Sequence, residues 1–224
     1  MYILAVDTAL GACSVAVLAG GKAVAHRLEF MERGHAEALA PMVEQAMKDA
    51  GIGFAALDRL GVTVGPGTFT GQRVGLAFMR GMRLALERPL VGVTSLEAMA
   101  HQAMEETGLA LAAAIHDARD DALYFQLCGR GRRSVPDSPP LLIKLSDAAA
   151  RIVRSGETVA LAGAASSRLL ASETQGRQRI VASSVVVPDA LWVARLAASR
   201  PATSDVPKPL YLREPALKRP GPVK

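Results

Sequence analysis

The chain has 224 residues, 50% of them hydrophobic and only 4% aromatic, with 26 basic and 21 acidic side chains for a formal net charge of +5. That length suits one large domain or two small ones, and the apolar half excludes a disordered tail. With so few rings, the core must be built from Ala, Val, Leu, Ile and Met. A charge of +5 does not by itself mark a nucleic-acid binder, but its placement is uneven. Residues 1–112 carry 9 basic and 11 acidic groups, whereas residues 113–224 carry 17 and 10. The surplus clusters at Arg130, Arg132 and Arg133, at Arg177 and Arg179, and in a tail with Arg213, Lys218, Arg219 and Lys224. Such groups suit either a solvated face or contacts to a phosphate backbone.

Tyr2 to Val6, Ala12 to Ala19 and Lys22 to Phe30 are apolar or alternating runs joined by short Gly-bearing links, which predicts three antiparallel strands. From Ala36 to Ala50 the apolar period becomes three and four, predicting a helix stopped at Gly51, with Pro41 imposing a kink or a late start. Leu57 to Val64 reads as a strand, Gly65 to Gly71 as a glycine loop, and Gln72 to Glu87 as a helix. A strand at Leu90 to Val93 and a helix opening near Ser95 complete an α/β pattern with parallel neighbours. The motif Ala5-Val6-Asp7-Thr8-Ala9 then has a weak echo in Ala114-Ile115-His116-Asp117-Ala118, as if the fold restarted. Ala122 to Cys128 would be its second strand and residues 129–140 a loop. Helices are expected at Ser146 to Arg154 and Asp189 to Ser199, and strands at Thr158 to Leu161 and Ile180 to Val187. Three segments follow: a lobe over 1–108 with the glycine loop, a degenerate lobe over 109–200, and an extended Pro-rich segment over 201–224.

Asp7 and Thr8 close the first strand, where a carboxylate could orient magnesium or water and a hydroxyl could bond a phosphate; an Asx turn is the ordinary alternative. The loop carries Gly65, Gly67, Thr68, Thr70 and Gly71 ahead of a helix N-terminus, a pattern suited to an anion and equally to a tight strand-to-helix turn. Gln72 stands where a Walker loop needs lysine, and the glycine spacing misses the dinucleotide fingerprint. The four histidines, His26, His35, His101 and His116, offer no His-x-x-x-His pair, so no metal site is expected. Cys13 reads as a buried small hydrophobe. The helix after the loop has more apolar surface than one face needs, and Gly75, Phe78, Met79 and Met82, with His35, Met42 and Met47 of the preceding helix, are candidates for a docking surface. A helix buried on two sides is the alternative. Asp7 interrupts the apolar start and no run approaches the length of a membrane span, so a cytoplasmic protein without membrane contact is expected.

The segments ILAVDTA, CSVAV, GHAEALAPMV, VGPGTFTGQRVGLAF, VGVTSLEAMA, AIHDAR and LYLR together resemble the TsaB family, relatives of the TsaD/Kae transferases. The match is dense over residues 1–128 and returns at Leu210 to Arg213. The resemblance implies an actin-like ATPase fold of two tandem ribonuclease-H-like lobes. It also implies a non-catalytic role: pairing with and activating a TsaD-like transferase that places threonylcarbamoyl on N6 of the tRNA adenosine 3′ to the anticodon. A TsaE-like ATPase and, through the complex, tRNA would be further partners, with Arg130, Arg132 and Arg133 as contacts. A homodimer in the partner's absence is a further expectation. The transferases of that family carry a histidine pair for metal, and here His35 is followed four residues on by Leu39. No cofactor is therefore required, with weak ATP or ADP binding at the loop left open. A free-standing actin-fold ATPase or phosphotransferase is the competing reading.

Overall fold

The computed structural model describes residues 1–118, 121–130, 138–172, 179–202 and 204–213. Strands β1 (Tyr2–Asp7), β2 (Ala12–Ala19) and β3 (Lys22–Phe30) form the antiparallel opening, with Asp7 opposite Ser14. Helix α1 (His35–Asp49) follows, then β4 (Arg59–Gly65), α2 (Phe69–Leu86), β5 (Leu90–Thr94) and α3 (Ser95–Thr107). The sheet order is β3-β2-β1-β4-β5, with β4 parallel to both β1 and β5.

The second half repeats this plan. Strands β6 (Leu111–Asp117), β7 (Ala122–Gly129) and β8 (Leu141–Lys144) are antiparallel neighbours, followed by α4 (Leu145–Arg154), β9 (Val159–Ala162), α5 (Ser166–Ser172), β10 (Ile180–Ala182) and α6 (Ala190–Ser199). The order β10-β9-β6-β7-β8 is the first sheet's order read from the other edge. Asp117 ends β6 as Asp7 ends β1, so the restart near Ala114 is a real structural repeat. Gly65 at the end of β4 (φ 103°) and Gly163 just after β9 (φ 113°) are likewise equivalent, each in a backbone region that only glycine enters freely.

The last helix of each half crosses to the other. Leu96, Met99, Ala103 and Met104 of α3 pack with Ala112, Ala114 and Ala160 of the second sheet. Val193, Ala194 and Ala197 of α6 pack with Ile3 and Ala5 of the first. Gly61 permits the latter approach, since a Cβ there would lie 3.2 Å from the Ala197 Cβ. The two lobes are thus clasped by exchanged helices, and α1 and α2 cover the opposite face of the first sheet.

Several local expectations change. Helix α1 starts at His35 and runs through Pro41 to Asp49, held by Leu39, Met42, Val43, Ala46 and Met47 on the sheet. Tertiary burial outweighs the backbone bond that proline removes. Helix α2 begins three residues before Gln72, because Thr68 caps it by accepting from the Gly71 N–H. Strand β10 ends at Ala182, well before Val187. The short β8 and α5 have too few residues to show a period in the sequence.

Candidate functional site

Asp7 Oδ1 accepts from the Thr63 hydroxyl at 2.5 Å and from the Ala9 N–H at 3.2 Å, while Oδ2 is buried without a hydrogen-bond partner. Asp7 is fully buried, and this burial pushes its carboxyl up to about 7 against the hydrogen bonds from Thr63 and Ala9. The same face of the sheet carries Ser14, whose hydroxyl accepts from Ala190 N–H, and His26, whose Nε2 lies 2.8 Å from Asp189 Oδ1. Hydrogen bonding to Asp189 raises the His26 pKa. Asp117, the second-lobe counterpart of Asp7, instead sits at the surface in an ion pair with Arg168.

The glycine loop lies directly on the turn after Asp7. Thr68 N–H donates to Ala9 O at 2.8 Å; the Thr8 hydroxyl donates to Gly71 O at 2.7 Å and accepts from Gly75 N–H at 3.0 Å. A Cβ at Gly67 would stand 2.2 Å from Ala9 O, one at Gly71 2.1 Å from Thr8 O, and one at Gly75 2.6 Å from Thr8 Oγ1. These glycines let backbone meet backbone. Gln72 is buried against Gly65, and the Ser95 hydroxyl donates to Pro66 O, so the loop is braced from behind as well. Thr68 and Thr70 remain exposed at the helix start. The anion-binding candidates are therefore brought together, and the donors of Thr68, Gly71 and Gly75 already have partners within the chain.

The interface candidates divide. Met42, Met47 and Met79 are buried in the core of the first lobe, which corrects their place on a docking surface. Gly75 packs on Thr8, and His35 is buried with Nε2 3.0 Å from Leu10 O. Phe78 and Met82 are half-buried. The solvent side of the adjacent helices carries small residues, Ala36, Ala40 and Pro41 on α1 and Ala77, Gly81 and Ala85 on α2, beside Glu37, Glu44, Gln45, Lys48 and Asp49 on α1 and Phe69, Thr70, Arg73 and Leu84 on α2. Met79→Glu is accordingly expected to unfold the protein, since it would bury an unpaired charge in a closed core. Loss of the cooperative thermal transition by circular dichroism checks this.

Arg130 forms an ion pair with Glu105 at 2.9 Å, while Arg132 and Arg133 lie outside the described residues. Cys13 is buried and its thiol is pushed up to about 12 by that burial, which fits a packing role. Sequence reasoning passed over Thr63, Ser14 and Asp189, which the fold collects around Asp7. Only the contrast of a polar residue inside an apolar strand could have flagged Thr63 and Ser14, whereas Asp189 reads as the N-cap of α6.

The sequence model of the family described as "TsaD: tRNA N6-adenosine threonylcarbamoyltransferase" matches residues 29–135. The "tRNA threonylcarbamoyladenosine biosynthesis protein TsaB" of Escherichia coli is 38% identical over 125 residues, 56% of this chain and 54% of that protein. The chain thus aligns with about half the length of this curated relative. An uncharacterized protein of Mycobacterium tuberculosis is 33% identical over 218 residues, 96% of this chain and 93% of that one. A Pseudomonas aeruginosa crystal structure, described as similar to the peptidase YeaZ, superposes with a TM-score of 0.81 at 29% identity, covering 95% of this chain and 99% of that one. Two tandem lobes of one topology, each ending in a helix lent to the other, define a protein of the actin-like ATPase fold. Its glycine loop is closed onto its own first turn. The chain belongs to the TsaB family.

Proposed function

We propose that this chain is a non-catalytic subunit that pairs with and activates a TsaD-like transferase in threonylcarbamoylation of N6 of the tRNA adenosine 3′ to the anticodon. The observation that carries this reading is the contact of Gly67 and Gly71 with the Ala9 and Thr8 carbonyls. A phosphate cradled by these glycines would need the space in front of them, and here the Thr8 and Ala9 backbone fills it. The loop's role is to lock α2 against β1, and ATP or ADP is not required. The stripes of small residues on α1 (Ala36, Ala40) and α2 (Ala77, Gly81, Ala85) form the surface for the partner, because Ala and Gly let another pair of helices approach closely. A TsaE-like ATPase and tRNA join through that complex in the cytoplasm, and the same helix face would serve a homodimer when the partner is absent.

The purified chain should neither hydrolyse ATP at a steady rate nor modify tRNA, yet restore modification when added to a TsaD-family transferase. Robust turnover by the chain alone would support the free-standing ATPase reading instead. Ala77→Arg, placed on exposed helix surface, should leave the melting curve unchanged and abolish co-purification with the transferase. Full partner binding by that variant would move the interface elsewhere.

A further inference from the structure

Helix α2 contains Arg73, Arg80 and Arg83 and no acidic residue. Their spacing of seven and three places them within an arc of about 80° over about 15 Å of helix. Each reaches the C-terminal segment, which runs back along the helix in the opposite direction. Arg83 Nη2 donates to Ser204 O at 3.0 Å, Arg80 Nε to Pro207 O at 3.1 Å, and Arg73 Nε to the Tyr211 hydroxyl at 2.9 Å. Just past the helix, Arg88 Nε donates to Leu57 O at 2.6 Å. These acceptors are neutral, so they orient the four guanidinium groups without cancelling their charge. Among the described residues, no carboxylate oxygen lies within 4.0 Å of the four, whereas Arg27, Arg130, Arg168 and Arg200 are each ion-paired. Glu87 and Asp205 are the acidic residues of residues 69–88 and 200–213, against Lys208 and Arg213 as further cations.

Both ends of this row have features of a ligand surface. At the helix start, Phe69 and Tyr211 are 44% and 39% exposed, with ring centroids 5.7 Å apart and planes 30° from parallel. The Arg73 guanidinium lies 3.6 Å from the Phe69 ring centre and fixes the pair. At the other end, a cavity of about 460 Å³ is lined by Arg83, Leu84, Glu87, Arg88, Pro89 and Ser204. The Arg83 Nε is buried there without a hydrogen-bond partner.

We propose that this side of α2, together with the C-terminal segment laid along it, docks an RNA backbone, with Phe69 and Tyr211 as the platform for an unpaired base. An acidic polypeptide would use the cations but leave the exposed rings idle, whereas RNA uses both: cations for phosphate, rings for a splayed base. The inference rests on the tRNA-linked reading above and replaces Arg130 with a different face.

The test is binding of labelled tRNA to the full chain across a salt series. For Arg73→Gln with Arg83→Gln, the affinity at low salt should fall at least tenfold, and the slope of log K on log salt should flatten by about 1.4 for single-stranded contacts. Arg130→Gln should change neither. Phe69→Ala, which leaves the arginines in place, should weaken binding of single-stranded RNA with the slope unchanged. Wild-type slope in a folded double variant, or an absence of salt-dependent binding by the wild type, overturns the proposal. So does polyglutamate competing as well as RNA at equal charge, which would assign the face to an acidic protein. If the double variant fails to fold, Lys208→Gln with Phe69→Ala replaces it, and wild-type affinity there overturns the proposal equally. Restoration of tRNA modification by the wild-type chain is scored separately, so a functional accessory subunit with an unaltered salt slope sinks this surface alone.

Discussion

Asp7→Asn should raise the stability of the protein at pH 8 and lower it at pH 4, so that the two stability curves cross. Burial lifts the Asp7 carboxyl from 3.8 to about 7, so the folded state holds its proton where the unfolded chain has lost it. By linkage, the wild type loses stability as pH rises from about 4 to about 7, by about 4 kcal/mol in all, and the loss is complete above that window. Asparagine keeps an oxygen for the Thr63 hydroxyl and the Ala9 N–H but carries no charge. Its amide nitrogen inherits the place of the unpartnered Oδ2, a cost of about 1–3 kcal/mol. The net gain at pH 8 is therefore about 1–3 kcal/mol, and at pH 4, where the wild type has lost only about 0.6 kcal/mol, the sign reverses. His26, raised by its bond to Asp189, also makes the wild type lose stability as pH rises, but this contribution is common to both proteins and cancels in the difference. Urea melts at the two pH values measure the effect, and parallel pH profiles would show that Asp7 ionises in the fold without penalty.

Gly71→Ala should destabilise the protein by about 3 kcal/mol or more, although alanine is ordinarily the better helix former by about 1 kcal/mol. The new methyl would lie 2.1 Å from the Thr8 carbonyl oxygen and 2.6 Å from Thr68 Oγ1, so α2 must lift off the first turn or the cap must break. Gly81→Ala provides the internal control ten residues along the same helix, where a Cβ meets nothing within 4 Å. It should stabilise by about 0.5–1 kcal/mol. The thermal midpoint should drop by about 10 °C for the first and rise by a few degrees for the second. A Gly71→Ala protein that melts like wild type but loses affinity for ATP would instead restore the loop as a phosphate cradle.

The sequence alone determined the three opening strands, because a strand covered on both faces is a short continuous apolar run, as in β1 and β2, and tight antiparallel links favour glycine. It also determined the break at the glycine loop and the restart at Asp117, since each depends on neighbouring residues only. Whether Gly67 and Gly71 admit an anion or a carbonyl was beyond it. Both partners demand the same missing Cβ, and the Thr8–Ala9 turn that occupies the space is about 60 residues away in the chain. The excess of apolar residues on α2 was legible, but only the tertiary structure showed that Met79 is closed in by the protein's own sheet. The exchange of α3 and α6 between lobes was likewise invisible. An amphipathic helix records that it has a face to bury, and the choice of sheet is made by chain connectivity and packing. The arginine row of α2 stood in the sequence as ordinary surface charge. It acquired a direction only when residues 204–211 were laid along it, because a cation's meaning depends on whether its neighbours are carboxylates or carbonyls.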